Sequence, residues 1–279
     1  LPLILIALIF SGCTTIHPKA APEAITDKQL FSHEHFDHVL QRYGSESGKI
    51  DYAALQKNRD ELNRYYRLLT EISPDSHPEL FPTDDHKLAY WINAYNAAAI
   101  KIVLTYYPIE SVKEVKPPAV FFFLPDVSGF FVFQKPVFGG RKISLYSLEN
   151  SIVRKRFADP RIHFALNCAS IGCPRLPQQV FSADTLNEQL DRETRRFVAE
   201  ERNVRIDHEN RTIYLSQIFE WYEDDFLDWL KENDSQNPTL LTRYIALYLP
   251  AEKAAALESV ENSYTLRFIP YDWQLNDPQ

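Results

Sequence analysis

The sequence has no methionine, only 7 glycines and only 3 cysteines among its 279 residues. Scarce glycine leaves few tight turns, and the many phenylalanines and tyrosines can fill a core, so the composition favours a helix-rich globular fold. The chain also lacks any block of basic residues, and its net charge is −8. We therefore expect no nucleic-acid partner.

The N-terminal run Leu1–Gly12 is uncharged and mostly apolar, but it is too short for a membrane-spanning helix, which needs about 20 residues. Its length is typical of the apolar core of a signal peptide, and the absence of methionine indicates that the true start lies upstream. Phe10, Ser11 and Gly12 before Cys13 resemble a bacterial lipobox, in which the cysteine receives diacylglycerol. An ordinary secretory signal followed by a chance cysteine is the alternative.

These features predict three segments. Residues 1–12 form a signal peptide, residues 13–24 carry the lipid on Cys13 and a flexible tether, and residues 25–279 form a single globular domain. Thr14 stands where an aspartate would retain a lipoprotein in the inner membrane. We therefore expect an exported lipoprotein on the periplasmic face of the outer membrane.

The segment Arg161–Pro174, RIHFALNCASIGCP, carries the residues best suited to chemistry. Its alternating apolar residues predict a strand over residues 161–167 that ends at Cys168. A thiol near an imidazole can become a nucleophile, because the thiolate is the reactive species. We therefore expect Cys168 as nucleophile and His163 as base, with a bend near Asn167, since residues five apart point to opposite faces of a straight strand. A buried, inert thiol is the alternative.

Cys173 follows Cys168 by five residues, in a turn that contains Gly172 and Pro174. An exported protein occupies a compartment in which disulfides persist. The two cysteines can therefore form a structural or redox-active pair, which competes with a free nucleophile. Their spacing permits the bond without requiring it.

A helix predicted over Thr83–Tyr107 places Asn93 and Asn96 on one face, since residues three apart are neighbours on a helix. Amides on an apolar helix need hydrogen-bond partners. They either bond a loop main chain as a structural latch or line a cleft as oxyanion donors, a role that is also open to Asn167.

A second helix, predicted over Ser144–Phe157, carries Glu149 and Asn150 beside an apolar stripe. Glu149 is a candidate for orienting the imidazole of His163, and its alternative is a solvated helix carboxylate. Asn150 is a second candidate for orienting His163 or contacting substrate.

Two further patterns have structural interpretations. The segment HEHFDH (His33–His38) resembles a metal cluster, but its spacing favours a solvated helix start, so we predict no metal and no other cofactor. The phenylalanine-rich segment Phe121–Phe133 is either part of the core or a hydrophobic loop that covers a cleft, contacts lipid or binds a protein partner.

The remaining pattern predicts a helix-rich α+β domain around a small antiparallel sheet. The other predicted helices are Ser32–Tyr43, Tyr52–Ile72, Ala183–Glu200, Trp221–Lys231, Pro238–Leu249 and Ala251–Val260. Hairpins are expected at residues 130–144 and 204–215, and a last strand at Leu266–Ile269. The composition does not change along the domain, so we expect no second domain.

Six motifs are distributed along the domain: GKIDYAAL (Gly48–Leu55), AYWINAYNA (Ala89–Ala97), SLYSLENSIVR (Ser144–Arg154), RIHFALNCASIGCPRL (Arg161–Leu176), FEWYEDDF (Phe219–Phe226) and YDWQLN (Tyr271–Asn276). Together they resemble the domain of unknown function 547 family, found in exported bacterial proteins and in plant proteins. The motifs occur in the order typical of the family and span almost the whole domain.

The resemblance implies a set of signature positions. They are Cys168 and His163, with Asn93, Asn96 and Glu149 beside them. It also implies that Cys173 is less essential, since plant members commonly carry serine near it, which argues against an obligatory disulfide. Asn150 stands where many members have histidine. The family's layout is similar to that of papain-like and transglutaminase-like thiol hydrolases. In those enzymes the cysteine usually precedes its histidine, whereas here His163 comes before Cys168, as in a circularly permuted variant.

Three functions remain open. The first is a cysteine-dependent hydrolase or transferase acting on amide or thioester bonds, with Cys168, His163 and Glu149 catalytic. The second is a non-enzymatic periplasmic binding or scaffold module, whose polar Cys-His-Asn pocket takes a peptide or a small thiol-containing ligand. The third is a dithiol redox protein that uses Cys168 and Cys173. The gathering of a thiol, an imidazole and several amides favours the enzyme.

Overall fold

Helices form most of this computed structural model, which describes residues 25–26, 29–235, 237 and 239–278. The α-helices are α1 (Glu34–Tyr43), α2 (Tyr52–Lys57), α3 (Asp60–Glu71), α4 (Asp84–Tyr106), α5 (Leu145–Ser147), α6 (Arg154–Phe157), α7 (Leu186–Ala199), α8 (Gln217–Trp221), α9 (Glu223–Asn233), α10 (Leu241–Ala246) and α11 (Ala251–Val260). The strands are β1 (Val137–Phe138), β2 (Arg141–Lys142), β3 (Val204–Asp207), β4 (Thr212–Ser216) and β5 (Thr265–Ile269). The predicted signal peptide, lipidated Cys13 and tether lie outside the described residues.

The long helix α4 runs through the larger hydrophobic core. Thr83 caps it by accepting a hydrogen bond from the His86 N–H, and Asp84 and Asp85 lie near the positive end of its dipole. Nearly all its side chains from Leu88 onward are buried, as expected of a helix that is apolar on every face. The predicted helix over Thr83–Tyr107 is therefore confirmed to within one residue at each end.

The other helix predictions are confirmed with altered limits. The segment Tyr52–Ile72 divides into α2 and α3, and the helix predicted over Ser144–Phe157 consists of α5, a π-helical turn at Leu148–Val153 and α6. The helix predicted to begin at Ser32 begins at Glu34, and the side chain of its N-cap, His33, makes no capping hydrogen bond. In the described part of the chain, no helix is both long enough and apolar enough to cross a membrane.

The strand predicted over residues 161–167 is wrong. Residues Pro160–Phe164 instead form a 3₁₀ turn. Pro160 occupies the first helical position, where its missing N–H costs nothing, and the Asp159 side chain accepts a hydrogen bond from the Arg161 N–H. These local start signals outweigh the apolar alternation that suggested a strand.

This 3₁₀ turn lies between two hydrophobic cores. Ile162 belongs to the larger core around α4, whereas Phe164 belongs to a second core built on α7, β4, α8, α9 and α10. His163 stands between them and is only 3% exposed. Because both sides of the turn are enclosed, the alternation of its side chains did not mark one buried and one exposed face.

The strands form two small sheets. β3 and β4 make the predicted hairpin, in which Ile206 lies opposite Ile213, and β5 pairs with β4 in parallel, so this sheet is mixed rather than antiparallel. The hairpin predicted at 130–144 is reduced to β1 and β2 around Gly139 and Gly140, both at positive φ. Residues Gly129–Phe133 form a π-helical turn instead of a strand. The fold class is nevertheless the predicted one, helix-rich α+β.

Candidate functional site

A cavity of about 550 Å³ lies between side chains of the two cores. Its wall includes Cys168 and His163, together with Glu149 and Asn150. Aromatic residues supply much of the remaining wall: Tyr95, Phe131, Tyr146, Trp221, Tyr222, Tyr271 and Trp273. A cavity of this size with an apolar wall and a few convergent polar groups is typical of a small-ligand site.

Cys168 and Cys173 are joined by a disulfide on this wall, with their Cα atoms 6.2 Å apart. The Cys168 N–H also donates to the Cys173 Sγ over 2.9 Å. Asn167 shapes the loop that carries them, since its side chain accepts from the Ala169 N–H and donates to the Pro174 carbonyl. Of the two states that the sequence leaves open, the structure has the bonded pair.

The C-terminal segment Tyr271–Asn276 lies against this loop. The Gly172 N–H donates to the Asp272 carbonyl over 2.8 Å, and a Cβ on Gly172 would lie only 2.9 Å from the Asp272 nitrogen. Glycine is therefore needed for this close approach. The approach places the hydroxyl of Tyr271 within 2.8 and 2.9 Å of the Sγ atoms of Cys168 and Cys173, respectively.

His163 is held by a carboxylate from the second core. Its Nε2 lies 2.7 Å from Oδ2 of Asp225 on α9, and Arg154 on α6 donates to both oxygens of the same carboxylate over 2.7 and 2.8 Å. Burial alone would raise the pKa of Asp225, but the hydrogen bonds from His163 and Arg154 outweigh it and hold that pKa well below its usual value. Asp225 is therefore an anion beside the imidazole.

Glu149 does not occupy the position expected of the residue that orients His163. It lies in the π-helical turn and accepts hydrogen bonds from the hydroxyls of Tyr222 and Tyr95. Tyr222 in turn stacks on the imidazole, with ring centroids 3.8 Å apart. Burial, followed by the charge of Glu149, raises the pKa of Tyr222 well above its usual value, so its hydroxyl is a donor. Glu149 thus reaches the imidazole only through the Tyr222 ring.

Asn150 also lies in the cavity wall, as a neighbour of the ion pair. Its Oδ1 accepts a hydrogen bond from the Arg154 guanidinium over 2.5 Å, and its Nδ2 donates to the Tyr146 carbonyl over 2.9 Å. The arrangement lets Asn150 position Arg154, and through it Asp225, rather than His163 directly.

The three other predicted amides are latches rather than donors to the cavity. Asn93 exchanges two hydrogen bonds with the main chain of Phe181, and Asn96 donates to the Ala165 carbonyl and accepts from the Asn167 N–H. Both residues are 1% exposed. The side-chain amide groups of Asn93, Asn96 and Asn167 all donate to main-chain carbonyls, because leaving a buried amide without a partner would cost free energy. The latch interpretation of Asn93 and Asn96 therefore agrees with the structure.

Two histidines of the HEHFDH segment, at the start of α1, contact side chains of α3. The Nδ1 of His33 lies 2.7 Å from the Tyr65 hydroxyl, and that of His35 lies 2.7 Å from a carboxylate oxygen of Glu61. Burial lowers the pKa of His33 to about 3, which keeps its ring neutral. Among the described residues, no group of three or more histidine, cysteine, aspartate or glutamate side chains is arranged to hold a metal ion.

The phenylalanine-rich segment divides between two of its predicted roles. Phe130 is fully buried in the larger core, and Phe131 lines the cavity. In contrast, Val120, Phe122 and Phe123 are 74%, 86% and 68% exposed. The tip of the loop thus remains a candidate contact surface for lipid or protein.

A family model described as "Protein of unknown function, DUF547" matches residues 80–198. Residues 80–198 of the chain belong to this family. No curated protein and no solved structure matches the chain. The match confirms the family resemblance over residues 80–198, the region that contains Cys168, His163 and Glu149.

Three residues of the site were not among the predicted site residues and lie beyond the matched region. They are Asp225, Tyr222 and Tyr271. Their signal was present in the motifs FEWYEDDF and YDWQLN, which combine aromatic and acidic residues. No role could be assigned to them, since their contacts with His163 and Cys168 cross 59 to 103 positions of sequence.

Proposed function

We propose that the protein is a cysteine-dependent hydrolase or transferase acting on amide or thioester bonds. The observation that carries the proposal is that Cys168 and His163 line one cavity, while Asp225 holds the imidazole on the Nε2 side. A nucleophile, a base and a third group that orients the base form the general pattern of covalent catalysis by an activated side chain.

The contact with Asp225 fixes how His163 would act. A neutral imidazole that donates its Nε2–H to Asp225 keeps its lone pair on Nδ1, the nitrogen that can take the proton of a thiol. The anionic Asp225 then stabilises the imidazolium that results. Arg154 completes the pair by holding the carboxylate with two hydrogen bonds.

The Cys168 sulfur is bonded to Cys173 in this structure, so the proposed mechanism begins with reduction. A thiol reductant must first convert the disulfide to two thiols. The Cys168 thiolate then attacks the substrate carbonyl, and the electron pair of the C=O bond moves to oxygen. Collapse of this adduct expels the amine or thiol, which takes its proton from His163, and water or a second acceptor releases the acyl group.

The cavity wall favours a peptide or a small thiol-containing compound as ligand. Trp221 and Trp273 offer aromatic faces, and the Arg154–Asp225 ion pair adds a polar edge to the wall. Flat aromatic side chains bind apolar and amide groups.

The test is the pH dependence of Cys168 alkylation by iodoacetamide in the Cys173→Ser variant, with the modified peptide identified by mass spectrometry. We expect a thiol pKa below the ordinary value of about 8.5 and a return toward it in His163→Ala. His38→Ala, a surface change, is the control and should leave the thiol pKa unaltered. A Cys168 that titrates normally and does not respond to His163 would contradict the proposal.

A dithiol redox function is the second candidate, because the disulfide lies on the cavity wall where a substrate thiol can reach it. Cys173→Ser separates the two functions. It abolishes a redox cycle that needs both sulfurs, whereas the acyl-transfer enzyme keeps its activity and no longer needs a reductant. Turnover of thioester or amide substrates by Cys173→Ser, lost in Cys168→Ala, would exclude the redox function.

We further propose that Cys13 is lipidated and anchors the exported protein to the periplasmic face of the outer membrane, as the lipobox-like segment suggests. Cys13→Ser should release the protein from the membrane fraction and abolish labelling by a fatty-acid analogue in cells. A membrane fraction unaffected by this change would contradict the anchor.

A further inference from the structure

Tyr271 touches the reacting atoms, yet the proposed mechanism gives it no part. Its hydroxyl lies 2.8 Å from the Cys168 Sγ and 2.9 Å from the Cys173 Sγ. Burial, followed by the charge of Glu149, raises the pKa of Tyr271 well above its usual value. The phenol therefore stays protonated at neutral pH and can donate a hydrogen bond to sulfur.

The fold fixes this hydroxyl between the two sulfurs. The Tyr271 ring packs on Trp273 and Trp221, with ring centroids 4.5 and 5.0 Å away. The main-chain N–H of Tyr271 donates to the Gln217 side chain over 3.1 Å. Its ring is also packed against Gly172, where an added Cβ would lie 3.0 Å from Cδ2. The donor is thus already in place when the disulfide opens, which is the condition for preorganised electrostatic stabilisation.

We propose that Tyr271 is a catalytic residue whose hydroxyl donates a hydrogen bond to the Cys168 sulfur and stabilises the thiolate released on reduction of the disulfide. The inference rests on the proposed use of Cys168 as nucleophile. A hydrogen bond to the charged form of an acid favours that form, so the donor makes Cys168 both a better leaving group during reduction and a more populated nucleophile afterwards.

The chemistry can be followed with dithiothreitol as reductant. One of its thiolates attacks the Sγ of Cys168, which is less buried than Cys173, the S–S bond breaks, and the electron pair leaves on Cys173. The second thiol of the reagent then attacks the mixed disulfide, closes the oxidised ring and expels the Cys168 thiolate, which accepts the Tyr271 hydrogen bond. Two electrons pass from the reagent to the protein, and its two protons end on the cysteines as the pH requires.

Tyr271→Phe tests the proposal, because it keeps the ring and removes only the oxygen. In the Cys173→Ser background we expect the thiol pKa of Cys168 to rise by about one unit, which slows alkylation below that pKa roughly tenfold. Tyr106→Phe makes the same change outside the cavity wall, at a side chain that is 41% exposed, and should alter the rate less than twofold. An unchanged thiol pKa in Tyr271→Phe would overturn the inference.

Two further measurements keep this result separate from the fate of the proposed function. If His163→Ala raises the Cys168 pKa and Tyr271→Phe does not, only the role of Tyr271 fails; if neither change matters and the thiol titrates normally, the proposed function fails as well. With both cysteines present, Tyr271→Phe should slow reduction by dithiothreitol several-fold, and an unaltered rate counts against the inference. If the near-UV circular dichroism of Tyr271→Phe shows that the variant has lost its native packing, Gly172→Ala serves instead, because the added Cβ displaces the Tyr271 ring. This variant should slow reduction by dithiothreitol, and an unaltered rate would count against the role of Tyr271.

Discussion

At the scale of single residues, the orientation of His163 depends on one carboxylate. Asp225 accepts hydrogen bonds from both His163 and Arg154, so a neutral amide at position 225 leaves the guanidinium without its counter-charge. We expect Asp225→Asn to lower the free energy of unfolding at pH 7 by about 2 kcal/mol. Urea denaturation measures the loss, and Asp224→Asn, an exposed neighbour, should cost within about 0.5 kcal/mol.

The same variant has a predicted pH signature. The pKa of Asp225 is lower in the folded protein than in the unfolded chain, where it is about 3.9. Its contribution to stability is therefore complete above that value and is lost as the pH falls toward the folded pKa. The stability difference between the parent protein and Asp225→Asn should narrow below about pH 4. A difference that stays constant down to pH 2 would show that the carboxylate is not stabilised by its partners.

Asn96 is a second single residue on which the site depends. Its side chain bonds the Ala165 carbonyl and the Asn167 N–H, the main chain that links His163 to Cys168. Asn96→Ala leaves both main-chain groups buried and unpaired, which should lower the free energy of unfolding by about 3 kcal/mol. Asn150→Ala is the control, since Asn150 is more exposed and should cost under about 1 kcal/mol. A cost for Asn96→Ala no larger than that of Asn150→Ala in urea denaturation would refute the latch.

Among the helices and strands, those whose ends are set by local sequence signals are the ones predicted correctly. α4 has a cap, acidic residues in its first turn and a long apolar run, and it forms within a residue of its predicted limits. The segment 161–167 has an equally clear apolar pattern but lies between two cores, so the pattern could not distinguish a strand from a 3₁₀ turn. Local reasoning fails there because tertiary packing, rather than a solvent-facing side, sets the burial of each residue.

The phenylalanine-rich segment contains one exposed and one buried phenylalanine whose effects on stability should differ. Phe122 is 86% exposed and touches Phe123 at its tip, whereas Phe130 has no exposed surface. Phe122→Ser should therefore change the free energy of unfolding by less than about 0.5 kcal/mol. Phe130→Ala should cost about 3 to 5 kcal/mol, as is usual for a truncated core phenylalanine. Thermal and urea unfolding of both variants check this, and a large loss in Phe122→Ser would show that the tip packs against another part of the chain.

At the scale of the whole molecule, the site joins distant parts of the sequence. Cys168 and His163, the proposed nucleophile and base, lie within residues 80–198, but Asp225 and Tyr271 come from the chain that follows. A single sequence offers no measure of such pairings, and the carboxylate predicted to orient His163 is therefore Glu149, whereas Asp225 holds that position in the structure. Asp225 and Tyr271 could be recognised as members of motifs, but their contacts with His163 and Cys168 could not be predicted.

The C-terminal segment extends this dependence to the N-terminal helices. Asn276 accepts from the Tyr52 hydroxyl through its side chain and from the Ile50 N–H through its carbonyl, and its own N–H donates to Ala169 in the cysteine loop. Removal of residues 270–279 should therefore raise amide hydrogen exchange both at residues 48–52 and at the loop 168–173, which lie more than 110 positions apart in sequence. Removal of residues 278–279 alone is the control and should leave both regions protected. If exchange rose only at the loop, Asn276 would be a local contact; a rise in both regions means that one strap at the end of the described chain holds the cysteine loop to the helical core.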